Sequence, residues 1–170
     1  MNHLYQGFCR LELDTAWVGL SRESGEPYFC TPVGAEIIGW DNGIHYCFIP
    51  AFQEMVFCVN PETCCGLYVY PVARNFHDFL SLLLSTGHTN SMQQIILLDK
   101  PAFEAFCASP DERAFIARPE VQQILSAIRT RLGVAPMKEP YEYVRALQAG
   151  FPYSRIPFSD SFYDATGIER

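Results

Sequence analysis

The tripeptide Asp41-Asn42-Gly43 restricts this chain more than any other three residues. Asn and Gly tolerate positive φ, so they make a tight turn between antiparallel strands. The residues after it alternate: Ile44, Tyr46 and Phe48 fall on one face, and His45, Cys47 and Ile49 on the other. Pro50-Ala51-Phe52-Gln53 is the next connection. Glu54 to Asn60 reads as a second strand with Met55, Phe57 and Val59 on one face. Asn60-Pro61-Glu62-Thr63 is expected to turn the chain, and Gly66 to Tyr70 to form a third strand that Pro71 stops. Connections this short imply a meander.

A helix follows. Asn75 can cap it, Asp78 suits its positive end, and Phe76, Phe79, Leu80 and Leu83 share one face up to Gly87. It is the natural cover for the meander. Downstream, Ser91-Met92-Gln93-Gln94 matches a capping box, and Asp99 can cap a helix through Cys107. Asp111-Glu112 reads as another helix start. Pro119 to Leu132 and Pro140 to Ala149 each open on proline and end before glycine. Phe151 to Arg170 is aromatic and proline-bearing, and is expected to pack irregularly over the body.

Before the meander the pattern is weaker. Met1 to Arg10 is expected to be peripheral, Arg10 to Gly19 a strand by its alternation, and Ser21 to Pro27 a loop. Tyr28 to Ile38 is expected to be a strand interrupted at Pro32 and Gly34. The fold class is therefore α+β: a small antiparallel meander sheet covered by helices, with a helical C-terminal half. One domain spans 1–170, with strands mainly in 1–74, helices in 75–150 and a packed tail in 151–170.

Length and charge narrow the function classes. A chain of 170 residues hides roughly 70% of its unfolded surface and needs no disulfide or metal to fold. Charged residues make up 18%, below the usual figure of about 25%, so apolar side chains cover more surface than is typical. A net charge of −7 argues against nucleic acid, which needs clustered Lys and Arg, and favours a basic partner. Seven cysteines, no signal-like start at Met1 to Arg10 and no bilayer-length apolar run suggest a cytoplasmic protein with reduced, mostly buried thiols and no membrane contact.

No motif declares a chemistry. His45, Cys47, Cys58, Cys64 and Cys65 are spaced poorly for zinc, and the strand pattern explains Cys47 and Cys58 as core. No local signature pairs a cysteine with His3, His45, His77 or His88 as a nucleophile. Asp78, Glu54, Asp111-Glu112 and Glu139 to Glu142 are explained as helix starts or strand surface rather than acid–base pairs. Glycine-rich phosphate loops are absent, and no cofactor is implied. What remains is a candidate binding surface of Trp40, Asp41, Tyr46 and Glu54, aromatic anchors with an acidic rim. Ordinary core is the competing reading of Trp40 and Tyr46.

Gly43-Ile44-His45-Tyr46 at a strand start, Val56-Phe57 to Pro61 in the next strand, and Val72 to Leu84 with Phe76, Asp78, Phe79 and Leu80 form a series. Over Ile38 to Leu84 this series resembles the SUKH superfamily of bacterial immunity proteins and fungal cell-wall-synthesis regulators. Members of that family open with helices and an L-P-x-x-Y-like motif, whereas Met1 to Glu36 shows no helix-period stretch. The resemblance implies a non-enzymatic α+β scaffold that binds another protein, such as a basic toxin domain, and implies no catalytic residues. Two further readings stand beside it. One is a small enzyme with a Cys/His or carboxylate site between the sheet and the C-terminal helices; the other is a self-associating structural protein.

Overall fold

A computed structural model describes residues 3–23 and 25–169. Those parts of the sequence readings that touch Met1, Asn2, Ser24 and Arg170 lie outside the described residues. The chain is α+β. Four strands, β1 (Glu36–Asp41), β2 (Ile44–Phe48), β3 (Val56–Cys64) and β4 (Leu67–Ala73), form an antiparallel meander in sequence order. Helices α1 (His3–Cys9), α2 (Phe76–Thr86), α3 (Thr89–Leu97), α4 (Lys100–Ala108), α5 (Pro110–Ile116), α6 (Pro119–Arg131), α7 (Pro140–Ala149) and α8 (Asp160–Thr166) surround it.

The first hairpin turns on Asn42 and Gly43, both at positive φ (45° and 94°). That geometry matches the right-handed twist of the flanking strands. The strand parity read from the sequence then separates two cores. Tyr46, Phe48, Val56, Cys58 and Tyr70 face α2, where Phe76, Phe79, Leu80 and Leu83 are buried. Phe79 meets Tyr46 at 5.5 Å and Phe76 meets Phe48 at 5.9 Å between ring centroids. Asn75 caps α2 by accepting a hydrogen bond from the Asp78 amide at 2.8 Å. Cys47, Ile49, Phe57 and Val59 face the opposite way, against Ile156 and Phe162 of the C-terminal tail. Both sheet faces are therefore dry, which accounts for the near-continuous apolar run in the strands.

Five expectations are corrected. Arg10 to Gly19 is not a strand: the Asp14 side chain accepts from the Ala16 amide at 3.2 Å and starts a 3₁₀ turn over Thr15–Val18. Such a local side-chain bond competes with a ladder. Tyr28 to Ala35 forms turns, with Thr31 Oγ1 accepting from the Tyr28 amide at 2.8 Å, and the strand begins only at Glu36. The turn placed at Asn60–Thr63 lies later, at Cys65-Gly66, and β3 runs through Pro61 where the ladder register shifts between Val59 and Cys64. Pro71 does not stop β4, because β4 is an edge strand and a missing amide is tolerated there. Helix α3 begins at Thr89, not at a Ser91 capping box, since Ser91 spends its hydroxyl on Glu112.

The ends differ as well. His3–Cys9 is helical, a stretch too short for helical periodicity to register, and it buries Phe8 against Phe76 at 5.6 Å. The tail does pack over the body, but it contains a 3₁₀ turn (Tyr153–Arg155) and α8. Helix α7 closes the β4 edge: Gln148 Nε2 donates to the Pro71 carbonyl at 3.2 Å, and the Arg74 amide donates to Tyr143 Oη at 2.9 Å. Edge groups satisfied this way cannot template another strand.

His45 is a buried exception to the apolar pattern. Its ring lies 4.4 Å from Trp40 and 5.8 Å from Tyr28, Thr31 Oγ1 sits 3.3 Å from Nε2, and Nδ1 has no hydrogen-bond partner among the described residues. Burial lowers its pKa from 6.5 to about 4. The fold thus favours the neutral ring. The resulting stability is complete above about pH 6.5 and is lost as the pH falls from there through about 4, on the order of 3 kcal/mol in total. Urea denaturation between pH 7 and 4 should show this decline in the wild type. His45→Gln, which carries no ionisable ring, should decline less over the same range.

Candidate functional site: an acidic cleft at the first hairpin

The β1–β2 turn, the 3₁₀ turn near the N-terminus, the start of α3 and the start of α5 enclose a cleft of about 640 Å³. Asp14, Asp41, Asp111 and Glu112 line it, and neither Lys nor Arg is among its lining residues. Trp17 and Phe115 supply aromatic walls. Arg118 packs on both, its guanidinium 5.6 Å from the Trp17 ring and 5.3 Å from the Phe115 ring.

Local folding explains each position. Asp14 is the cap of its 3₁₀ turn, and Asp111 and Glu112 fill the first turn of α5, where carboxylates suit the helix dipole. Gly19 lets the walls meet. Its φ is 78°, and a Cβ there would collide with Thr89 Oγ1. Thr89 Oγ1 instead donates to Asp41 Oδ2 at 2.7 Å, tying α3 to the hairpin across 48 positions of sequence. Gln93 Nε2 donates to Asp41 Oδ2 at 3.4 Å and to Tyr46 Oη at 3.1 Å. Burial holds the Tyr46 phenol well above its ordinary pKa, so it stays a neutral hydroxyl.

A second clamp fixes the far wall. His88 Nε2 and Ser91 Oγ each lie 2.7 Å from Glu112 Oε2, and 3.0 Å from one another. The trio combines serine, histidine and a carboxylate, but its geometry is not that of a nucleophile relay. A relay needs one ring nitrogen on the hydroxyl and the other on the carboxylate. Here the same Nε2 meets both, and Ser91 is fully buried. The group holds α5 against α3, with the His88 ring 4.6 Å from Phe115.

Three of the buried thiols are poor nucleophiles. Burial raises Cys30 and Cys64 to about 11 and Cys58 to about 12, so they stay protonated at neutral pH. The sheet also divides the cysteine–histidine group, with Cys47 on the tail side and Cys58 and Cys64 on the α2 side. Among the described residues no three His, Cys, Asp or Glu side chains are placed to hold a metal ion.

Of the four residues read from the sequence as a binding surface, Asp41 lines the cleft. Tyr46 is wholly buried and supports Asp41 through Gln93. Trp40 is half-buried beside the same turn, over His45. Glu54 lies at the other end of the sheet, exposed after the β2–β3 connection, in a separate cavity with Tyr5, Glu36 and Gln53. Asp14, His88, Thr89 and Glu112 carried no shared signal, because their proximity comes only from tertiary contacts. Compared with known proteins, the chain matches no family model, no curated protein and no solved structure.

The Asp41–Thr89 bond can be tested directly. Thr89 is fully buried, so Thr89→Val keeps the volume and strands the Asp41 carboxylate on its long contact to Gln93. Denaturant unfolding should show a loss of about 1.5–3 kcal/mol, and Thr89→Ser should lose less.

Proposed function

We propose that this chain is a non-enzymatic protein-binding module whose acidic cleft receives a basic segment of a partner protein. One observation carries the reading: four carboxyl groups from three separate chain segments, the 3₁₀ turn, the β1–β2 hairpin and α5, line one cleft with no Lys or Arg among its lining residues. Asp41 and Glu112 are held by internal hydrogen bonds, so the negative field is pre-organised. Pre-organised charge of one sign speeds encounter with a partner of the other sign and disfavours like-charged competitors. Trp17 and Phe115 offer rings for the apolar stems of Lys or Arg side chains. The net charge of −7 supports the same direction of attraction.

The resemblance of Ile38 to Leu84 to SUKH proteins supplies the class of partner: a basic toxin domain, neutralised by occlusion of its surface. In that reading the cytoplasm is where both proteins meet.

Affinity capture from the native host tests this with the wild type and Asp14→Lys/Asp111→Lys, two exposed positions on the cleft wall. The wild type should retain a basic protein that the double variant loses, and added salt should weaken the capture. Equal recovery by both proteins would count against the cleft.

A further inference from the structure

On the other side of α5 the charge reverses. A cavity of about 590 Å³ opens between α2, α4, α5, α6 and the segment before α7, and Arg113, Arg129 and Lys138 line it. None of the three makes an ion pair or a side-chain hydrogen bond among the described residues. Glu104 is the one carboxylate lining the cavity, and it lies 3.9 Å from Lys100 Nζ outside it. Three of the chain's 12 Lys and Arg residues thus gather at one opening. Arg113 and Arg129 each close the last turn of a helix, where the dipole favours a cation. That accounts for each arginine singly, and not for Lys138 beside them.

The backbone under Lys138 is fixed. Ser81 Oγ donates to the Ala135 carbonyl at 2.7 Å, Ser85 Oγ to the Met137 carbonyl at 2.7 Å, and the Met137 amide to the Ser81 carbonyl at 3.1 Å. Pro136 and Pro140 stiffen the same segment. The three cations are thus delivered from three anchored elements. Leu84, Phe103 and Met137 make the cavity apolar between them.

We infer that this cavity binds a small organic oxyanion, a phosphate or carboxylate group on an apolar body. Two arginines can grip planar or tetrahedral oxyanions through paired N–H donors, and Lys138 adds a point charge. The apolar walls take the body of the ligand, and the volume exceeds what inorganic phosphate needs. The site is independent of the acidic cleft, which α5 separates from it: Asp111 and Glu112 face one side and Arg113 the other.

Isothermal titration of the full chain with phenyl phosphate, phenylacetate and inorganic phosphate tests the site. Saturable binding of an aromatic anion, tighter than inorganic phosphate, is the expected result, and the tighter of the two aromatic probes identifies the head group. Arg113→Gln/Arg129→Gln should weaken it roughly tenfold or more and Lys138→Gln severalfold. Arg155→Gln, on the tail over Phe52, should leave it unchanged. All three cavity side chains are exposed, so melting curves of the variants should match the wild type. Absence of saturable binding by both aromatic anions, or binding that survives the double arginine change, would overturn the assignment.

Discussion

The structure depends on one constraint: a four-stranded sheet with two apolar faces needs a cover on each side. Helix α2 supplies one cover through Phe76 and Phe79, and the aromatic tail supplies the other through Ile156 and Phe162. A sheet dry on both faces cannot bend away from its packing without exposing a row of rings. Each buried ring of this size removes on the order of 150–250 Å² from water. The sheet is therefore a stiff base, and its turns and the helices around it are held at set distances. The acidic cleft inherits that stiffness, because Asp41 ends β1 and is pinned to α3.

The same packing explains which parts of the fold were legible in the sequence. Asn42-Gly43, the parity of Ile44 to Phe48, the Asn75 cap and the proline-to-glycine span of α7 are local signals, and all appear as read. Errors arose where a tertiary contact outweighed a local pattern. Proline ends a strand by local rules, yet edge position and α7 let β4 continue through Pro71. Ser91 fits a capping box, yet Glu112 claims its hydroxyl across 21 positions. Arg10 to Gly19 alternates like a strand, yet Asp14 turns it. Asp41 is legible because it opens the hairpin turn. Its cleft partners came from remote stretches, and no spacing in the chain links Asp14 to Asp111.

Charge is sorted rather than spread. Helix α5 is only seven residues long, yet Asp111 and Glu112 face one cavity and Arg113 another. Arg118 stacks on the aromatic walls of the acidic cleft. In the proposed binding role such separation would keep the field of the acidic cleft of one sign. The Ser91–His88–Glu112 clamp ties α5 to α3 in this arrangement.

Amide chemical-shift mapping with an arginine-rich peptide probes the cleft most directly. The expected result is salt-sensitive shifts concentrated at Asp14, Asn42, Asn90 and Asp111, with the tail over the opposite sheet face unmoved. Shifts centred on the tail, or none at peptide concentrations that saturate ordinary acidic surfaces, would contradict a function based on this cleft.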